Sequence, residues 1–446
     1  MAKAPPSSTP AEPTFTAIDS GIDDLIAHAM SDPEGRTGRF IAVFKDGPEA
    51  KVDALISDHF GGATAHSLEF ANAAVEMSAL STASSLVLDN LGIAILGSDA
   101  ANAAGQLEAA AMTDIATAAV ESADLPYVLV PETIEFAQIE TQSYLQGFQA
   151  AVAQIARDLG GAGGQPLAPD YLDDQADVAL ANATWGLNIT RVPLSGFTGR
   201  GIRVAILDTG LDFGHPDFAG RRILAQSFIP NESPMDGNGH GTHTCGTACG
   251  PATPRTPGAR YGIAHECDIL IAKVLSNAGS GPTGGILNGI NWALQNGAQV
   301  INMSLANRSQ TPAPHYTQAG QAALNRGAVI IAAAGNFNEP TGQPANSPTI
   351  MSVSALDQQL RKAGFSNFGK VEIGAPGTSI ESSLPRPRLR GFLQGTSMAA
   401  PHVAGIAALY AQGMGLRGMP LWRHLRNRAR ALPLPPARTG SGLVQA

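Results

Sequence analysis

Arg203-Val204-Ala205-Ile206-Leu207-Asp208-Thr209-Gly210 decides the fold class. From Val204 to Leu207 every side chain is apolar, with no alternation, which is the pattern of a strand buried on both faces of a parallel sheet. A strand with one wet face would alternate apolar and polar residues. Residues 269–274, 300–305 and 329–334 repeat the apolar run, with helical stretches near 283–296 and 316–326 between them. Strands alternating with helices at this spacing predict a doubly wound, mostly parallel α/β domain. Such sheets bind ligands outside the carboxyl ends of their strands. Asp208 ends the first run and Asn336 closely follows another, so both stand where a site is expected.

The whole chain, at 446 residues, is long for one domain. Hydrophobic residues make up 44%, enough for a substantial core, and a net charge of −9 argues against nucleic acid or an anionic membrane as partner. No stretch reaches the roughly 20 apolar residues of a membrane helix. Three cysteines exclude a disulfide scaffold and leave at least one thiol unpaired within the chain. Cys245 and Cys249 are four apart, hence on one face of a helix. They offer too few ligands for zinc, and small apolar packing is the expected role, with a Cys249–Cys267 disulfide as the alternative.

Four segments are expected. Residues 1–37 are expected to form a disordered extension, whose start, Met1 to Pro13, is rich in Pro, Ser and Ala. Its lysine has no apolar run behind it, so no secretory leader is expected. Residues 38–137 read as strand (39–45), helix (50–60), extended segments (63–70 and 85–96), alanine-rich helix (103–117) and last strand (126–136). The order β-α-β-β-α-β is the ferredoxin-like arrangement. Residues 138–176 hold an amphipathic helix from Gln138 to Leu159, with Ile139, Leu145, Phe148, Val152 and Ile155 on one side, and then a Gly160-to-Pro166 hinge. Exposed glycine-rich links are where proteolytic nicking concentrates. Residues 177–446 are the large α/β domain.

Three strings carry the chemistry: Asp208-Thr209-Gly210, His240-Gly241-Thr242-His243 and Gly395-Thr396-Ser397-Met398-Ala399-Ala400-Pro401. They supply an acid, an imidazole and a hydroxyl. A serine hydroxyl is a weak nucleophile until a base takes its proton, and the base needs a third group to orient it. Each string alone is ambiguous, because Asp before Gly is ordinary turn chemistry and Gly-Thr-Ser makes caps and turns. The small residues after Ser397 suit a helix running through a packed core. Pro401 is expected in its first turn, where there is no intrahelical donor to lose.

Taken together, and extended by Gly210-Leu211-Asp212 and His215-Pro216-Asp217, these strings resemble the subtilisin family of serine endopeptidases. The resemblance implies the triad order Asp…His…Ser, with Asp208 orienting His240 and His240 as the general base for Ser397. His243 then has a structural role. It implies that the side chain of Asn336, in Ala332-Ala333-Ala334-Gly335-Asn336, and the Ser397 backbone N–H hold an oxyanion. It implies that Gly279, Ser280 and Gly281 on one side, and Ser304, Leu305 and Ala306 on the other, bind an extended peptide by strand addition. The family usually continues the second segment with glycine; Ala306 and Asn307 stand here, which implies a narrowed primary pocket. Residues 38–137 resemble the family's inhibitory propeptide, which implies a self-processing zymogen cut between about Phe136 and Thr184. A folded propeptide points to export. Asp217 stands where many relatives hold calcium. The partner loop, Pro251 to Arg260, has two arginines and no carboxylate, so the strong site is not expected. No cofactor is required, the partners are protein or peptide substrates and the chain's own propeptide, and a monomer is expected. A peptide-ligating relative and a silent binding scaffold are the alternatives.

Overall fold

The computed structural model describes residues 182–446 and, before them, residues 25, 29, 36–46, 52, 56, 60, 64–67, 85–97 and 126–137. The helix expected at 103–117, most of that at 50–60, the amphipathic helix at 138–159 and the hinge after it lie outside the described residues. Among the described residues no helix is long and apolar enough to cross a membrane.

The N-terminal part is a sheet of β1 (Arg36–Phe44), β2 (Thr64–His66), β3 (Ser85–Leu88), β4 (Ile93–Leu96) and β5 (Tyr127–Ala137) in the order β2-β3-β4-β1-β5. β1 begins two residues inside the segment expected to be disordered. The stretch 85–96 is a tight hairpin: Asp89-Asn90-Leu91-Gly92 is turn chemistry, and Gly92 takes φ 64. Among the described residues of this sheet, only β2 and β3 pair in parallel.

The larger part opens with the short helix α1 (Trp185–Ile189) and continues through β6 (Arg203–Asp208), β7 (Ile223–Ser227), α2 (His240–Cys249), β8 (Asp268–Lys273), β9 (Ser280–Pro282), α3 (Thr283–Gln295), β10 (Val300–Met303) and β11 (Leu305–Ala306). Then follow α4 (Pro314–Asn325), β12 (Val329–Ala333), β13 (Met351–Leu356), β14 (Ile373–Pro376), the hairpin β15 (Ile380–Ser383) and β16 (Arg390–Leu393), α5 (Thr396–Gly413) and α6 (Gly418–Arg428). Seven strands form a wholly parallel sheet, in the order β14-β13-β12-β10-β6-β8-β7.

The unbroken apolar run of β6 has the cause inferred for it. Val204 and Ile206 join the core shared with α2, α5 and α6, whereas Ala205 and Leu207 join the opposite core, shared with α3 and α4. Ile41, Val43, Leu86, Leu88, Ile93 and Ile95 of the N-terminal sheet belong to that second core, together with Ile286, Leu287 and Ile290 of α3. Each such side chain removed from water contributes roughly 1.5–3 kcal/mol, so the two parts share a continuous apolar contact. A charged link reinforces it. Glu132 of β5 is buried, accepts from Arg39 Nε (2.6 Å) and Nη2 (2.8 Å), and also accepts from the Gly284 N–H (2.8 Å) at the start of α3. An anion there satisfies an orphan donor and complements the helix dipole.

α5 runs through the middle of the first core and is buried from Thr396 to Ala411. At Gly405 an added Cβ would lie 2.6 Å from Ile263 Cβ and 2.9 Å from the Ala248 carbonyl of α2, so glycine sets the approach of these helices. Pro401 is the sixth residue of α5, beyond the first turn where it was expected. The carbonyl its missing N–H leaves without an i→i−4 donor belongs to Ser397, and that oxygen accepts from Ser304 Oγ at 2.8 Å instead.

Candidate active site

Strand register brings the expected residues together. Leu207 of β6 lies beside Met303 of β10, and Met303 beside Ala332 of β12. The residues following these strands, Asp208, Ser304 and, a little later, Asn336, therefore emerge along one carboxyl edge of the sheet.

Asp208 meets the first residue of α2. Its Oδ1 accepts from the Thr209 N–H (2.7 Å) and faces His240 Nδ1 at 2.7 Å, and its Oδ2 accepts from Thr244 Oγ1 (3.1 Å). An ionised carboxylate only accepts, so Nδ1 carries the proton and Nε2 keeps its lone pair. Nε2 is buried and has no hydrogen-bond partner among the described residues. Burial pushes the His240 pKa down, but the charge and hydrogen bond of Asp208, with the charge of Asp236 behind them, outweigh it and hold the ring above its ordinary value.

Asp236 is a site residue whose sequence signal was only its place in an Asp-Gly-Asn-Gly loop. Its Oδ1 accepts from Thr209 Oγ1 (2.9 Å) and from the N–H groups of Asn238 (3.0 Å) and Gly239 (2.8 Å). Its Oδ2 accepts from the N–H (2.8 Å) and hydroxyl (2.6 Å) of Thr242. One buried carboxylate thus ties the start of α2 to the end of β6 and fixes where His240 stands. Gly241 is needed by contact, since a Cβ there would lie 2.2 Å from the Gly210 carbonyl. His243 Nε2 donates to the Ile380 carbonyl (3.0 Å) and the ring is pushed down to about 3 by burial and by His240, so it is held neutral in the core, away from the acid.

Ser397 is the second residue of α5. Its hydroxyl donates to the Ser304 carbonyl at 2.9 Å. Asn336 Oδ1 accepts from the N–H and the hydroxyl of Thr396, both at 2.8 Å, which turns its NH2 end away from Thr396.

The six residues of the two expected peptide-gripping segments flank a strand of the chain itself. β5 enters between β9 and β11, antiparallel to both. Glu135 lies opposite Gly281, Phe136 opposite Ser280 and Ala306, and Ala137 opposite Leu305. The Ala137 N–H donates to the Gly279 carbonyl at 2.6 Å.

At Asp217 the residues do not fit a cation. Burial pushes its carboxyl up, but four hydrogen-bond donors outweigh it and hold the group below the ordinary carboxylate range: the Arg255 N–H (2.6 Å), the Thr256 N–H (2.9 Å), Thr256 Oγ1 (2.6 Å) and Tyr261 Oη (2.7 Å). Their hydrogens point at the oxygens a metal would use. Nor do Cys249 and Cys267 form a disulfide. All three cysteines are free and buried, and Arg221 donates to the Cys249 and Cys267 carbonyls between them.

The model of the Subtilase family matches residues 199–426, which span the three strings. The chain belongs to the subtilase family. Among its relatives, the M-protease of Shouchella clausii is 38% identical over 285 residues, 62% of this subtilase and 72% of that protein. Subtilisin Savinase of Lederbergia lenta is 39% identical over 269 residues, 59% of this subtilase and 96% of that protein. The crystal structure of a cold adapted subtilisin-like serine proteinase matches at 34% identity with a TM-score of 0.52, covering 59% of this chain and 98% of that one. The subtilase is a serine-type endopeptidase with a subtilisin-like α/β fold, and its substrates are peptides or proteins.

Proposed function

We propose that Asp208, His240 and Ser397 are the catalytic triad of this subtilase, that Asn336 completes its oxyanion hole, and that the chain is a zymogen that cuts itself. The observation that carries the reading is the 2.7 Å contact between Asp208 and His240 Nδ1, with Nε2 left uncommitted at the sheet edge where Ser397 also stands. In this scheme Ser397 Oγ leaves the Ser304 carbonyl, gives its proton to His240 Nε2 and attacks the peptide carbonyl. Asp208 stabilises the imidazolium and keeps its tautomer. The negative oxygen of the tetrahedral intermediate is held by the Asn336 amide and the Ser397 N–H. His240 returns the proton to the departing amine, and water then hydrolyses the acyl-enzyme by the reverse order of proton transfers. The scheme calls on no cofactor.

Residues 38–137 act as the propeptide and 177–446 as the catalytic domain. The strand order β5-β1-β4-β3 with antiparallel pairing supports the ferredoxin-like arrangement, with β2 as an added edge. The lodging of β5 between β9 and β11 supports inhibition by occupation of the cleft. A peptide laid one residue further along that path stands opposite Ser304, beside Ser397. The residue after Ala137 is Gln138, and Gln138–Ile139 is accordingly the bond proposed for processing; both residues lie outside those described. Intact-mass spectrometry of the wild type beside Ser397→Ala tests this. A wild type that splits after Gln138 while the variant stays whole is the expected result. Two whole chains that hydrolyse no peptide would leave a silent scaffold as the better account.

A further inference from the structure

The side chain that β5 sets most deeply between the gripping segments is polar. Glu135 is fully buried, whereas the next residue, Phe136, is 47% exposed. Its Oε1 faces three donors, each from a different catalytic-domain element: Tyr316 Oη of α4 at 3.1 Å, Asn307 Nδ2 just after β11 at 3.0 Å, and, at 3.4 Å, Thr283 Oγ1 at the start of α3, whose single hydrogen is shared with the nearer Thr133 carbonyl of β5 at 3.0 Å. Oε2 is also buried and has no hydrogen-bond partner among the described residues. Tyr316 is itself among the largest fully buried side chains, so its hydroxyl is delivered to this point by the core and does not swing in from solvent.

Buried donors without an acceptor cost free energy. A recess meant for an aliphatic side chain would not gather three of them around one oxygen. The register fixes where the recess lies relative to the chemistry. Counting from Ser304, beside Ser397, the residues of a peptide on this path stand opposite Ser304, Leu305 and Ala306 in turn, and the next is the one at the recess.

We propose that Tyr316, Asn307 and Thr283 form a specificity recess that accepts a glutaminyl or glutamyl side chain four residues before the bond cut, in substrates as in the chain's own strand. This rests on Ser397 being the nucleophile. One side-chain oxygen meets three donors, and the position of the second polar atom has no charge partner among the described residues. The recess therefore reads an acceptor oxygen and not a negative charge. Glutamine fits at any pH. Glutamate fits as the neutral acid, in line with burial pushing Glu135 up to about 8 against the opposing hydrogen bonds of its three partners.

The test uses wild-type protein and its Ser397→Ala form with internally quenched peptides differing only at the fourth residue before the cut: Gln, Glu, Leu or Lys. The expected result is a kcat/KM for Gln about tenfold above Leu, the size of one or two net hydrogen bonds. The Gln/Leu ratio should be flat with pH, while the Glu/Gln ratio falls as pH rises from 6 to 8, approaching tenfold per pH unit as the free acid ionises. Tyr316→Phe and, independently, Asn307→Ser should each narrow the Gln/Leu ratio. Leu cut as fast as Gln by the wild type overturns the recess. So does a Gln/Leu ratio left intact in both variants. If no peptide is cut faster than by Ser397→Ala, the nucleophile assignment fails, and the recess with it.

Discussion

Glu135 also makes the hold of β5 on the cleft depend on pH, and the size of the effect follows from its burial. Its partners, Tyr316 on α4, Thr283 on α3 and Asn307 after β11, carry no positive charge, and Glu132 on its own strand is spent on Arg39. Burial pushes the Tyr316 hydroxyl well up, so it stays neutral. The acid is raised from 4.5 to about 8 when lodged. A raised acid stabilises the lodged state fully below pH 4.5 and loses that stabilisation as pH climbs to about 8. The whole change is worth at most about 5 kcal/mol, and roughly 2 kcal/mol of it falls between pH 6 and 8. The assay is hydrogen exchange in full-length Ser397→Ala, which in the proposed scheme stays in one piece, compared with Ser397→Ala/Glu135→Gln. Protection of the amides of residues 134–137, corrected for intrinsic exchange, should fall about 30-fold more between pH 6 and 8 in the first protein than in the second. Parallel pH profiles in the two would refute the argument, because they would mean that Glu135 is solvated or ionised where it lies.

Asn336→Leu should lower kcat by about 10²–10³-fold with little change in KM, the loss measured for an oxyanion-hole asparagine in a subtilisin; a rise in KM with kcat unchanged would reassign the residue to substrate binding. Asp217→Ala leaves four donors facing no acceptor and should cost on the order of 3 kcal/mol. Melting followed with and without a chelator should show the same loss in both; a loss seen only without chelator would mean that the loop holds a cation after all.

Much of the fold was legible because it rests on local pattern. Val204 to Leu207 has to be apolar on both faces of a sheet covered twice, and such a run announces itself without any partner in view. The proposed site residues could be named from the sequence because they fall next to strand ends and helix starts, in strings of small residues that leave backbone room. What escaped were pairings across long separations in the chain. Nothing around Ile134 to Ala137 says that the strand leaves its own sheet to lie between Ser280 and Ala306. Asp236 was hidden because a capping carboxylate in a glycine loop has the same local signature whether or not it positions a histidine. Pro401 was misplaced by one turn because its compensating donor, Ser304 Oγ, comes from another strand altogether. The composition of the loop from Pro251 to Arg260 gave no sign that Asp217 would gather four hydrogens.

Gly405 lies eight residues beyond Ser397, about 12 Å along the axis of α5. It is pressed against Ile263 and the back of α2, whose first residue is His240. In the proposed scheme the base His240 and the nucleophile Ser397 thus ride on two helices held together, at the middle of α5 and near the end of α2, by the absence of one methyl group. Alignment at the cleft is a lever problem: a fraction of an ångström lost at the clamp is delivered to the hydroxyl and the imidazole by helices that are too stiff to absorb it. Tuning of this pair by substitution therefore begins at the rear of the molecule, at a residue that touches no peptide.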